Sequence, residues 1–138
     1  MSKEELEKRK SELLQGMKEY LDSQDDLCVD NIEIMELFPK LLKLQNQKGL
    51  IYGRSYIKYG ETSIFMNISR KFDRVENIMK KAMENGTKSL HGDGSSTPTE
   101  TMLDTVVDMG LYSIMWAAYI KEQYPEEYDK FLSINGLK

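Results

Sequence analysis

The chain has 138 residues, with 19 basic against 23 acidic side chains and a net charge of −4, a length that suits one compact helical domain and excludes a large α/β enzyme. At 40% hydrophobic and 30% charged, with only three prolines, it reads as a globular chain and not as a disordered tail. The mild acidity argues against a nonspecific binder of duplex nucleic acid, which needs a basic face to displace counterions from phosphate. One cysteine, Cys28, can neither staple the chain nor hold a thiolate zinc site, which points to a reducing compartment. No apolar run reaches the ~18 to 20 residues of a membrane span, and MSKEELEKRK lacks the apolar centre of a secretory signal, so a cytoplasmic protein away from membranes is expected.

From Lys3 to Leu21 the apolar residues Leu6, Leu13, Leu14, Met17, Tyr20 and Leu21 recur at helical spacing among Glu and Lys, which predicts an amphipathic helix. After the turn residues of SQDDLCVDN, a second helical pattern runs through Ile32, Met35, Leu37, Phe38, Leu41, Leu42 and Leu44. Pro39 lies inside it, where a missing backbone donor predicts a kink or a fresh helix start, and Gly49 is expected to end it. Residues 1–48 form an N-terminal helical segment on this reading, followed by a connector over 49–60 that is rich in Gly and Tyr, including Tyr52, Tyr56 and Tyr59.

Ile64, Ile68, Phe72, Val75, Met79 and Ala82 then step by three or four, giving a helix over Glu61 to Asn85 closed by Gly86. A polar loop, TKSLHGDGSS, carries the single histidine, His91. Thr97, Pro98 and Glu100 mark the start of another long helix, ending about Tyr124. Pro125 opens a short terminal helix, 125–138 with its tail, and 61–124 form a central helix pair. No stretch alternates as a sheet face requires. The expected fold is therefore all-α, one bundle of about five helices with two long antiparallel helices at its centre.

On a wheel at about 100° per residue, the apolar residues of the helix after Pro98 cover nearly every direction, which places that helix in the middle of the bundle. Glu100, Asp104 and Asp108 nevertheless stack on one stripe of it, four residues apart. Unpaired carboxylates on an apolar rod cost several kcal/mol unless neutralised. Two solutions stand open. One is a hard divalent cation, Mg²⁺, held by Glu76, Glu100, Asp104 and Asp108. The other is ion pairing of the aspartates with basic residues on the facing helix, with Glu100 serving as a cap. Asp104 is expected to lie deepest between the two helices.

The candidate cations cluster nearby. On the Glu61 helix, Lys71 and Glu76 border the core face, whereas Arg70 and Arg74 point away from it. Lys71, with Arg70, Arg74 and Arg54, would hold phosphate oxygens, and Tyr52 and Tyr56 are the rings suited to stack on a base. Phosphate-loop, dinucleotide, His-Glu-x-x-His and triad templates are all missing.

The run YGRSY at 52–56, SIFMNISRKFDRVENI at 63–78 and ETMLDTVVDMGLY at 100–112 resemble the nucleotide-modification-associated domain 1 family of phages and bacteria, over roughly residues 39–119. More remotely, the acidic helices look like those of the MazG-like all-α nucleotide pyrophosphohydrolases, in which Glu-x-x-Glu and Glu-x-x-Asp helices hold Mg²⁺ against nucleotide phosphates. Here the corresponding pairs would be Asp73-x-x-Glu76 and Glu100-x-x-x-Asp104, which differ in identity and spacing.

The leading expectation is a nucleotide-binding protein, with Mg²⁺-assisted phosphoanhydride hydrolysis of a nucleotide or modified nucleotide as its enzymatic version. The alternative is a noncatalytic phage-type protein that sequesters a nucleotide signal or binds a host protein, in the host cytoplasm if phage-encoded. A homo-oligomer is expected, with the first helix as its interface.

Overall fold

A computed structural model of the chain describes residues 1–24, 28–86 and 102–138. Among them every regular element is helical: α1 (Lys3–Ser23), α2 (Val29–Tyr52), a 3₁₀ turn (Ser55–Ile57), α3 (Glu61–Asn85), α4 (Met102–Gln123) and α5 (Pro125–Ile134). The described residues fall into two compact units, Met1–Lys40 and Leu41–Lys138.

In the first unit, α1 begins where its sequence supplies a complete cap. The Ser2 hydroxyl accepts from the Glu5 backbone N–H at 3.1 Å, and the Glu5 carboxylate accepts from the Ser2 backbone N–H at 2.7 Å, satisfying two donors that a helix start otherwise leaves open. None of its residues is buried. The Asp30 carboxylate falls in the first turn of α2, the end at which the helix dipole favours negative charge.

Of the two outcomes expected at Pro39, a fresh helix start does not occur, since α2 is carried through it as one element. The helix passes Gly49, where an end was expected, and runs three residues further to Tyr52, before Gly53, which takes a left-handed conformation (φ 59°) that side chains rarely adopt. A single interior glycine weakens a helix by about 1 kcal/mol but does not break it.

The second unit is built on α3 and α4. Glu61 meets Trp116, Lys71 meets Asp108 and Arg74 meets Thr105, so residue numbers fall along one helix as they rise along the other and the pair is antiparallel. Ile64, Ile78 and Ala82 of α3 and Leu111 and Thr105 of α4 are buried between them. Full burial of an isoleucine or leucine contributes about 1.5 to 3 kcal/mol. Gly86 closes α3 in the left-handed conformation (φ 64°), as its sequence implies. At the far end, Pro125 opens α5, and the Lys121 ammonium of α4 stands 5.1 Å over the Tyr128 ring of α5.

The expectation that α4 is enclosed on all sides is not met. Its face toward α3 is covered, but Leu103, Val106 and Ile114 remain 66%, 42% and 46% exposed. An apolar wheel records which faces can be buried, and the neighbours present decide which are. The expected cap at Thr97 to Glu100 and the His91 loop lie outside the described residues.

Candidate functional site

Three helical stripes and one turn converge on a single cavity in the second unit. Along α2 from Leu41 onward, Leu41, Leu44, Gln45, Lys48 and Gly49 are the half-buried positions, the spacing of one helix face, and this face brings Gln45, Lys48 and Gly49 to the cavity with Tyr52 one turn on. Along α4, Asp108, Leu111, Tyr112 and Met115 do the same from the other side. Asn67 of α3 and Gly53, Ser55 and Tyr56 of the connector complete the wall. The cavity measures about 420 Å³, within the range of about 300 to 1,000 Å³ that small-molecule sites occupy.

Its charged group is a carboxylate between two ammonium ions. Asp108 Oδ1 accepts from Lys48 Nζ at 2.8 Å, and Oδ2 stands 2.9 Å from Lys71 Nζ. The Lys71 side chain is only 14% exposed, Asp108 20% and Lys48 41%, so Lys71 is enclosed with the carboxylate while Lys48 stays open to the cavity. Burial is the largest single influence on the Asp108 carboxyl and pushes its pKa up. The hydrogen bonds and charges of Lys48 and Lys71 act in the opposite sense and together outweigh burial, holding the group below the usual carboxylate range.

Neighbouring polar groups are fixed as well. The Asn67 amide donates to the Ser63 carbonyl at 3.0 Å, and its oxygen accepts from Arg70 Nη2 at 3.2 Å, which orients it in the wall. At the mouth of the connector Arg54 donates to Glu122 at 3.0 Å.

The residues singled out from the sequence separate into those the fold brings together and those it does not. Tyr52, Tyr56 and Asp108 share the cavity, and Lys71 reaches it through Asp108. Arg70 is exposed on α3, bonded to Asn67 of its own helix. Arg74 was expected to point away from α4, yet its Nε donates to the Thr105 hydroxyl at 3.1 Å, because an arginine stem is long enough to curl from the border of a helix onto its neighbour. Asp104, expected deepest between the helices, is exposed, and the enclosed position is the next residue, Thr105. Glu76 pairs with Lys80 on its own helix at 3.2 Å. Glu100 lies outside the described residues. Among the described residues no group of three or more His, Cys, Asp or Glu side chains could hold a metal ion.

Lys48, Gln45, Asn67 and Tyr112 were missed. A signal for Lys48 was present: it occupies the same helical stripe as Leu41 and Leu44, and a cation on an apolar stripe needs an anion as much as the Asp108 stripe needs a cation.

Compared with known proteins, the chain is 27% identical over 117 residues to the Gene 30 protein of Bacillus phage SP01. The alignment takes in 77% of this chain and 52% of the phage protein, so the chain spans about half the length of the curated relative it matches. No family model matches the chain, and no solved structure does. The likeness is to a phage protein, and the resemblances drawn from YGRSY and the two helical motifs rest on those motifs alone. None of the described helices is long and apolar enough to cross a membrane.

Proposed function

We propose that the chain is a nucleotide-binding protein of phage type whose ligand occupies the cavity between α2, the connector, α3 and α4. The observation that supports this most is one cavity holding three tyrosines, Tyr52, Tyr56 and Tyr112, two amide side chains, Gln45 and Asn67, and the partly open ammonium of Lys48. Aromatic faces stack on any base, amides read its polar edge, and a lysine serves a phosphate as a point charge. Lys48 is able to turn to an incoming phosphate because Lys71 stays with Asp108 and keeps that carboxylate compensated.

Binding without turnover is the version the donor set favours. Mg²⁺ is bound through carboxylate oxygens, but both oxygens of Asp108 are in contact with an ammonium, and Glu76 is paired with Lys80. A metal at Asp108 would have to displace a lysine. Hydrolysis by Mg²⁺ held at Glu100, Asp104 and Asp108 remains the enzymatic alternative, and a phage-type role as a sink for a nucleotide signal accords with the likeness to a phage protein.

Thermal unfolding with mono-, di-, tri- and cyclic nucleotides, with and without Mg²⁺, tests the reading, since a ligand bound to the native state raises its melting temperature by mass action. At least one nucleotide should raise it, and Lys48→Met should weaken that ligand by about tenfold to a hundredfold, the value of a charge-assisted hydrogen bond. A flat response to every nucleotide would remove the support. Recovery of the ligand after denaturation separates the two versions: intact ligand marks a sequestering protein, hydrolysed ligand an enzyme.

A further inference from the structure

The amphipathic helix α1 leaves its whole apolar face uncovered. Leu6, Leu13, Leu14, Met17, Tyr20 and Leu21 are between 42% and 71% exposed, and no residue of the helix is buried. A helix of 21 residues with Gly16 in its interior is marginal by itself in water, because helices in proteins owe most of their stability to packing of an apolar face. We propose that α1 pairs with α1 of a second copy of the chain, antiparallel, about a two-fold axis passing between Leu13 and Leu14.

Area, orientation and charge each support this occupant. The six side chains are all exposed and run the length of the helix as one continuous face, the kind of extended patch that a specific interface of about 1,200 Å² or more is built from. A two-fold interface is self-complementary, so each residue that meets a partner must be met by it in return. Centred between residues 13 and 14, the antiparallel arrangement sets Leu6 against the other copy's Leu21 and Leu13 against its Leu14.

At the middle of the face sits Lys10. In a parallel pair it would face its own copy, a like-charge contact, whereas the antiparallel pair lays its stem on Met17 and leaves its ammonium with Glu7, 3.0 Å away on the same helix. One flank agrees as well: Glu7 and Lys18 share the same edge of the apolar face, and the antiparallel pair brings Glu7 near the other copy's Lys18, so opposite charges meet along that edge.

Sedimentation equilibrium on the full chain at micromolar concentration is the test. Twice the 16.0 kDa of one chain is expected, with Leu13→Lys combined with Leu14→Lys returning it to a single chain. Orientation is read by oxidative cross-linking with the exposed Cys28 replaced by serine. A mixture of Leu6→Cys and Leu21→Cys chains should join, and Leu6→Cys alone should not, since antiparallel copies hold those positions about 22 Å apart along the axis at about 1.5 Å per residue. A single-chain mass for the parent protein, a dimer that survives the double lysine change, or efficient joining of Leu6→Cys to itself would each overturn the proposal.

Discussion

Asp108 is the residue on which the site depends, because it is what holds Lys48 of α2 to the α3–α4 pair. Asp108→Asn leaves two ammonium ions facing an amide. A fully buried pair broken on one side costs about 3 to 5 kcal/mol, and the partial exposure of Asp108 and Lys48 reduces this to about 1 to 3 kcal/mol. Urea unfolding should show that loss, and a variant as stable as the parent would mean the lysines find other partners at no cost.

The same carboxylate sets a pH dependence. Its folded-state pKa is lowered, so the native state holds the proton less readily than the unfolded chain. The stabilisation is complete above the unfolded value of about 3.9 and disappears as pH falls through the folded value. The urea midpoint of the parent should therefore fall more steeply on acidification below about pH 4 than that of Asp108→Asn. Equal slopes would show that the two lysines leave no net effect on the titration of Asp108.

At this scale the sequence was informative where a charge stood out against its own helix. The acid at 108 demands compensation, and Lys71 on the facing helix supplies it. Lys48 is not legible in the same way, since sixty residues separate it from Asp108 and nothing local records which helix faces lie opposite one another.

Among the elements, α3 was the most legible because every signal for it agrees: apolar residues at three- and four-residue steps, a glycine before it and Gly86 after it. Its observed limits, Glu61–Asn85, are those the pattern predicts. The end of α2 was less so, since Gly49 and Gly53 are equivalent as letters and only the second adopts the left-handed backbone that terminates a helix. Ile64 tests the packing of the central pair. It is fully enclosed, and Ile64→Ala should cost about 2 to 5 kcal/mol through lost burial and the cavity left behind, read as a lower denaturant midpoint. A loss well under 1 kcal/mol would mean that the contact between α3 and α4 closes over the gap.

For the molecule as a whole, helical class could be read from periodicity alone, but the disposition of faces could not. Residues of α4 such as Leu103 and Ile114 are apolar in a direction that α3 does not cover, and a wheel has no means of separating a face buried within the chain from one left open. The acidic stripe shows the same limit. Spacing placed Glu100, Asp104 and Asp108 in line, yet exposure divides Asp104 from Asp108, because a drift of about 40° per four residues moves successive members around the helix. The proposed function rests on the cavity that these faces form, and the likeness to the Gene 30 protein takes in 52% of that phage protein.

The most direct measurement of that reading is an amide chemical-shift titration of the full chain with the nucleotide that most raises its melting temperature. Saturable shifts are expected at Gln45 to Tyr56, Asn67 and Asp108 to Met115, the residues around the cavity, with little change in α5. Shifts that saturate elsewhere, or none in this set at saturating ligand, would contradict it.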